Sequence, residues 1–374
     1  MLLAPLVSLH AAATNRARTY VSRANLYDWM RGATMAVSLW ALQWAQMSRA
    51  YHYIRGQAMI KLYVLIAMVE IFDKLMCSFG QDALDSLYWS TRHSKKRRVL
   101  LHFLVVCVYA SLHSALLFVH VTTLTVAVNS SDQALLTLLI SNNFAEIKSS
   151  VFKKFDKQNL FQLTCHDIVE RFKLTLFLGM IMLLNLSHGD ADEALGQFVN
   201  TFLMVFGGEL LADWIKHAFI TKFNQLQPGV YGEYSTILAR DMTACRKDSK
   251  AILDHTHNVA RRLAFATVPL NCVMIRFIQM AAPRFFQCFP DASLPTLFLI
   301  CFLIWLTALF LKVLTGIQLM AWSYALHPDV VQFNTPAYSW LKSPVPTIQK
   351  TRKEISLEKL STIDRFTLWK GRIV

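Results

Sequence analysis

The sequence has little charge, glycine or proline for its length. Only 17% of its 374 residues are Asp, Glu, Lys or Arg, whereas 54% are hydrophobic, and soluble domains usually carry about a quarter charged residues. With 12 glycines and 10 prolines, the chain is neither collagen-like nor of low complexity. No stretch alternates polar and apolar residues over the length of a β-barrel strand, so we expect α-helices to satisfy the backbone in lipid.

The sequence also lacks the usual signatures of disulfide, metal and catalytic sites. Its seven cysteines form no CxxC pair, and only Cys288 falls in a loop that we expect in the lumen, where one cysteine cannot form an internal disulfide. There is no nucleophile elbow, P-loop, dinucleotide fingerprint or HExxH motif. We therefore expect a protein that is not an enzyme and binds no metal or cofactor.

Apolar stretches that approach membrane-spanning length recur along the chain. A helix needs about 20 residues to cross roughly 30 Å of hydrocarbon. The stretches predict an all-α, polytopic membrane protein with about six transmembrane helices and additional amphipathic surface helices. The stretch from residue 99 to residue 128 is long for one span, and we expect a short return segment after it. The expected spans are 58–76, 99–128, 173–187, 198–215, 263–282 and 296–320.

The front of the chain, residues 1–56, is harder to assign. Ala33–Met47 is apolar and bounded by Arg31 and Arg49, but it is short for a span. We expect either an interfacial helix or a tilted crossing there.

The net charge of +14 comes from basic residues that cluster between the apolar stretches. Arg92–Arg98 contains five Lys or Arg, and residues 216–262 and the tail 321–374 contain eight each. Such clusters favour the cytosolic side and attract anionic lipid headgroups rather than nucleic acid. Within a membrane domain of residues 57–320, we therefore place cytosolic loops at 77–98, 142–172 and 216–262.

Ionisable side chains inside the expected spans are the candidate functional residues, because each costs about 2.5–3.5 kcal/mol on insertion scales. Glu70 and Lys74 are four residues apart with the acid first, which predicts an ion pair on one helix face. We favour such pairing, or interfacial placement, over a role in transport. The same reasoning applies to Asp73, Glu209, Asp213 and Lys216.

Three histidines, His102, His113 and His120, follow one another at offsets of 11 and 7 residues. These offsets return to nearly the same side of a helix, so the three form one stripe, with Tyr109 beside it. A proton or metal path could use such a stripe, but no two of these histidines are one turn apart, as a tight metal site would need. We favour a polar seam against another helix.

Residues 142–172 read as two surface helices. Phe144, Ile147, Val151 and Phe155 are spaced as one helical face, which predicts a basic amphipathic helix lying on the interface. The run Thr164–Asp167 resembles the start of a second helix, because a hydroxyl caps a helix and an acid suits its first turn.

Several stretches resemble one family. NNFAEIKSSVFKKFDKQNLFQ (142–162) and KHAFITKFN (216–224) are the most specific, and VYGEYSTILARD (230–241) follows in order. On these residues the chain resembles the transmembrane anterior-posterior transformation protein family, over about residues 72–320. The positions that carry the resemblance best are Asn142, Asn143, Phe144, Phe152, Lys153, Lys154, Phe155, Lys216, His217, Phe219, Lys222 and Phe223.

The resemblance implies a cellular compartment and a class of membrane protein, but no chemical reaction. It implies a multi-pass protein of the endoplasmic reticulum membrane, with the Golgi as a second compartment, and roles in protein folding and quality control or in cilium formation. It supplies no catalytic residue. Family members usually have a longer charged front with a further span, which indicates that this chain is short or differently started.

Two functions from different classes remain open. The chain is either a scaffold that holds a membrane or luminal partner protein, or an ion or small-solute transporter that uses its intramembrane charges and histidines. A continuous water-accessible cavity lined by those groups would favour the transporter, and a packed bundle would favour the scaffold.

The Lys and Arg distribution predicts that Arg92–Arg98, residues 216–262 and the C-terminal tail face the cytosol. Protease protection of a C-terminal tag on sealed microsomes measures this. We expect the tag to be cleaved without detergent, and a protected tag would contradict the topology.

Overall fold

The computed structural model describes residues 23–57, 59–93, 96–129, 143–186, 191–244, 263, 265–287 and 294–326. These residues form α-helices and no strand, which confirms the expected all-α class. The helices are α1 (Arg23–Gln43), α2 (Met47–Arg55), α3 (Met59–His93), α4 (Lys96–Val128), α5 (143–151), α6 (Lys157–Leu186), α7 (Ala191–Phe223), α8 (Val230–Ala244), α9 (Thr267–Gln287) and α10 (Leu294–Leu326).

The chain divides into two compact units. Unit 1 comprises residues 1–145, 171–211 and 264–288, and unit 2 comprises residues 146–170, 212–263 and 289–374. Helices α6 and α7 each contribute one part to each unit.

Helix α4 is the central helix of unit 1, and α1, α2, α3 and α9 all contact it. Its buried residues Leu117, Phe118, Val121 and Leu124 pack in one cluster. Lipid is as apolar as these side chains, so the hydrophobic effect alone does not hold membrane helices together, and close packing and polar contacts must contribute. Other helices add to the cluster Leu42, Phe177, Leu178, Met180, Ile181, Val205, Leu270, Val273 and Phe277.

Unit 2 has a smaller core between parts of α6, α7 and α8. Tyr234 is central to it, because its ring lies 4.9 Å from that of Phe161 and its hydroxyl donates to the Lys157 carbonyl at 2.6 Å. Burial raises the pKa of the Tyr234 phenol, so the hydroxyl remains a donor at neutral pH. The apolar members are Leu160, Phe161, Cys165, Ile220, Val230 and Ile237.

The first part of the cytosolic loop expected at 77–98 is helical. It forms the second half of α3, which runs unbroken to His93. Ala83 and Leu87 recur at helical spacing and pack in one cluster with Tyr27 of α1, so tertiary packing extends the helix through a polar sequence.

The helix start expected at Thr164–Asp167 is wrong. Helix α6 begins at Lys157, where the Asp156 carboxylate accepts from the Asn159 backbone N–H at 2.8 Å, as an N-cap residue does. Asp167 therefore lies inside the helix and is buried. The second surface helix and the following span are one continuous element.

The amphipathic segment is shorter than its periodicity predicts. Helix α5 ends at residue 151, so Phe155 lies outside it. Val151 is buried, whereas Phe144 and Phe152 are exposed. The Phe155 backbone N–H donates to the Asn224 side chain at 2.8 Å, and this contact joins the segment to the end of α7.

Three helices in the described residues are long and apolar enough to cross a membrane: Lys96–Val128, Phe198–Phe223 and Pro295–Ala325. The segment expected as the first span, 58–76, is less apolar because it contains Lys61, Glu70, Asp73 and Lys74. The total of six spans stays a prediction. The expected return segment 134–140, most of the tail 321–374 and Asn142 lie outside the described residues.

The front segment Ala33–Met47 belongs to helices rather than to one short span. Most of it lies in α1, which packs against α4 and α9. Thr34 and Ser38 of α1 are buried and accept from Cys107 and Ser111 of α4 at 3.7 and 3.4 Å. This helix is therefore part of the unit 1 core.

Residue 80 of α3 must be glycine because the Tyr109 side chain of α4 leaves no space for a larger residue. A methyl group there would overlap the Tyr109 hydroxyl, which bonds to His113. We expect Gly80→Ala to lower the stability of the detergent-solubilised protein by about 1–3 kcal/mol, as overpacking does. Gly179 on α6 has open space around it, so Gly179→Ala should stabilise by about 0.5–1 kcal/mol. Thermal unfolding of both variants measures this, and equal effects would contradict it.

Candidate functional site

A chain of four polar side chains joins three helices of unit 1. The Tyr109 hydroxyl lies 3.0 Å from Nδ1 of His113, and Nε2 of His113 lies 2.8 Å from Oδ1 of Asp73. The other carboxylate oxygen of Asp73 accepts from Nζ of Lys173 at 2.6 Å. We call these residues, from α3, α4 and α6, the first tetrad.

The same four residue types recur in the same order in unit 2. The Tyr231 hydroxyl lies 2.9 Å from Nδ1 of His217, and Nε2 of His217 lies 2.8 Å from Oδ2 of Asp167. Oδ1 of Asp167 lies 3.1 Å from Nζ of Lys216. We call these residues, from α6, α7 and α8, the second tetrad.

The hydrogen-bond partners of the two histidines favour the same tautomer in both tetrads. An aspartate carboxylate only accepts, so Nε2 of each histidine donates to it, and Nδ1 is left to accept from the tyrosine hydroxyl. Burial and then the nearby Asp167 carboxylate raise the pKa of Tyr231, which keeps that hydroxyl protonated and able to donate.

Among the described residues of unit 2, Lys216 is the cation with the most ion pairs. Its ammonium lies 3.1 Å from Asp167, 2.8 Å from Asp213 and 3.2 Å from Glu146, and its side chain is only 2% exposed. One ammonium thus neutralises part of the charge of three carboxylates, with His217 donating to one of them. The arrangement can hold α5, α6 and α7 together electrostatically.

Two groups of His, Cys, Asp or Glu side chains in the described residues are close enough together to hold a metal ion, and each shares residues with one tetrad. In both such groups a lysine ammonium already lies on the carboxylates, Lys173 in the first and Lys216 in the second. An ammonium in that place repels a metal cation, so the geometry supports ion pairing. The groups, whose ligand atoms lie within 4.8 Å of one another, are Asp73, Cys77 and His113, and Glu146, Asp167 and Glu170.

The histidine stripe does not act as one unit. His113 is fully buried in the first tetrad, whereas the His120 ring packs edge-on against Phe177 at 5.2 Å. His102 is half-buried near the start of α4. The structure therefore brings one of the three histidines to a site and leaves the others along the same helix.

The remaining candidate charges lie apart from the tetrads. Glu70 and Lys74 are 3.5 Å apart and both partly exposed. Glu209 accepts from the Asn143 side chain at 2.7 Å. Neither contact includes a tetrad residue.

Three phenylalanines of the family motif in unit 2, Phe152, Phe219 and Phe223, form an exposed patch. The Phe223 ring stacks on those of Phe152 and Phe219, at 6.2 and 5.7 Å. We call this patch, with its exposed lysines, the aromatic–basic patch; the lysines are Lys153, Lys154 and Lys222.

Sequence reasoning missed Lys173, Asp167 and Tyr231 as site residues. The sequence placed Lys173 at the first position of an expected span and Asp167 in the first turn of an expected helix. Their partners lie 100 and 50 residues away along the chain, beyond the reach of periodicity. The adjacent Lys216 and His217 stood in the family motif, but nothing local paired them with Asp167.

A family model for the "Eukaryotic membrane protein family" matches residues 21–327. The chain belongs to this family. Fly "Protein TAPT1 homolog" (Drosophila melanogaster) is 42% identical over 270 residues, which are 70% of this chain and 39% of the relative. Mouse and human proteins named "Transmembrane anterior posterior transformation protein 1", the human one as a homolog, are each 40% identical over 269 residues, 70% of this chain.

These matches confirm the resemblance found in the sequence. The chain spans less than half the length of these relatives, 48% for mouse and 47% for human. No solved structure matches the chain. All the residues of both tetrads lie in the part of this family member that the family model covers.

Lys216 provides the sharpest test of the second tetrad in this family member. We expect Lys216→Met to destabilise the protein by about 3–5 kcal/mol, because it leaves Asp167, Asp213 and Glu146 close together without their ammonium. The matched control is Lys222→Met, on the same helix but exposed, which should change stability by less than about 0.5 kcal/mol. Thermal unfolding in detergent measures both, and similar losses would contradict the pairing.

Proposed function

We propose that this protein is a non-enzymatic membrane scaffold that holds a membrane or luminal partner protein and aids its maturation. The observation that carries the proposal is that its buried charges bind one another. Asp73, His113 and Lys173 are almost wholly buried and engaged in the first tetrad, so they fix the packing of helices rather than face a passage.

Helix α10 supplies the surface that a scaffold needs. No residue in the most apolar 18-residue window of this helix is buried. Within unit 2 it contacts α8, and Ser323 near its C-terminal end is buried. A long apolar helix with so little intramolecular packing is available to lipid or to another membrane protein.

The aromatic–basic patch supports attachment to a membrane surface. Exposed phenylalanines beside lysines suit the boundary between headgroups and acyl chains, and lysines attract anionic lipid. We propose that this patch lies on the cytosolic face of the membrane. That side follows the Lys and Arg distribution of the chain.

The compartment and process come from family resemblance. We propose the endoplasmic reticulum membrane, with the Golgi as the second compartment, and a role in folding, quality control or cilium formation. The names of the mouse and human relatives refer only to a transmembrane protein and to anterior posterior transformation.

For the second candidate, a transporter, the relevant feature of the structure is a groove. A groove of about 570 Å³ runs between α3 and α4 in unit 1. Its lining is apolar except for Lys61, and it contains none of the tetrad residues. Such a lining suits an acyl chain better than a hydrated ion.

Affinity purification of the full chain in mild detergent tests the scaffold. We expect a stoichiometric membrane or luminal protein to co-purify, both from the native chain and from Glu70→Gln, whose partly exposed pair is not part of a tetrad. The transporter makes the opposite prediction. A chain that purifies alone, carries protons or solute in liposomes, and loses this flux in a folded Asp73→Asn variant would contradict the scaffold.

A further inference from the structure

Helix α10 has a single charged residue, and it lies far from both ends of the candidate span. Pro295–Ala325 contains 31 residues, and Lys312 is its one Asp, Glu, Lys or Arg. At 1.5 Å per residue, Lys312 lies about 26 Å from one end of the span and about 20 Å from the other. The side chain is exposed, and no described residue forms an ion pair or hydrogen bond with its ammonium.

Lys312 also belongs to a distinct stripe. Cys301, Ala308, Lys312, Thr315 and Leu319 follow at offsets of 7, 4, 3 and 4, which return to one side of a helix. All five are exposed, and all but Leu319 are small or polar. Two large aromatic residues, Phe298 and Trp305, lie on the same side of the helix, nearer its start. We call these five residues the Lys312 stripe.

The rest of the α10 surface is different. The opposite side carries large apolar residues, of which Phe310 is 69% exposed. Large apolar side chains suit contact with lipid, whereas small residues let two membrane helices approach closely. The other exposed members of this surface include Leu303, Leu314 and Ile317.

Intramembrane charges almost always face protein and pair with an opposite charge. A second copy of this chain is a poor partner at the stripe, because a symmetric contact would oppose two Lys312 ammonium groups. A lipid phosphate lies at the membrane surface, away from the middle of a span. A carboxylate on a neighbouring helix meets both requirements.

We propose that the Lys312 stripe binds a transmembrane helix of another protein that carries one Asp or Glu at mid-membrane depth, facing small residues. The proposal rests on the scaffold function and gives the chemistry of its partner. Ala308 and Thr315 allow close approach on either side of Lys312, and the carboxylate neutralises the ammonium in a medium where an unmatched charge is costly.

The probe is a synthetic transmembrane helix of about 22 leucines and alanines with one central Glu. The full chain is reconstituted in phosphatidylcholine liposomes with a photoreactive residue replacing Ala308 or, as the control on the opposite side, Phe310. We expect cross-links to the probe from position 308 and few from position 310. Probes with central Leu or Lys should cross-link roughly fivefold less to the same protein.

Charge exchange completes the test. Lys312→Leu should lose the preference for the Glu probe, and Lys312→Glu should prefer the Lys probe. Equal yields with the Glu and Leu probes, or from positions 308 and 310, would overturn the proposal. Cross-links between two copies at position 308 without a probe would also overturn it, by assigning the stripe to self-association.

Failure of this inference differs from failure of the scaffold. If the probe shows no preference but a partner still co-purifies with Lys312→Leu, the scaffold stands and the stripe does not bind the partner. If the Glu probe binds but no partner co-purifies from cells, the stripe binds carboxylate helices and the scaffold fails.

Discussion

A charge buried among helices must be neutralised where it lies, because neither lipid nor packed apolar side chains can solvate it. Asp73 meets this requirement with two donors, the His113 ring and the Lys173 ammonium. These donors come from two other helices, so neutralising one carboxylate also fixes three helices. In unit 2, Lys216 is the cation that several carboxylates share.

The same requirement distinguishes the two tetrads from the exposed Lys312. In both tetrads the charges are matched within one unit and buried. Lys312 is the contrasting case, because it is exposed on a membrane-length helix and the described residues offer it no partner. The physical rule that explains the tetrads is therefore also the basis of the partner site proposed at Lys312.

Composition was sufficient to predict the helical membrane class, because a low fraction of charge in a long apolar chain leaves few alternatives. Predictions from local sequence failed where tertiary contacts determine the helix boundaries. The polar half of α3 is helical because Leu87 is buried against other helices, and Asp167 lies inside a helix rather than at its start. Periodicity identified Asp73 and His113 as candidates but could not pair residues 40 positions apart with Lys173 on a third helix.

A double-mutant cycle on Asp73 and Lys173 tests most directly whether the first tetrad is a structural element. Asn at position 73 can still accept from His113, and Met at position 173 keeps the length of lysine without its charge. Thermal unfolding of the full chain in detergent should show each single variant, Asp73→Asn and Lys173→Met, losing about 3–5 kcal/mol, with the double variant recovering much of that loss. Single variants as stable as the native chain, or a double variant whose loss is the sum of the two, would contradict the account.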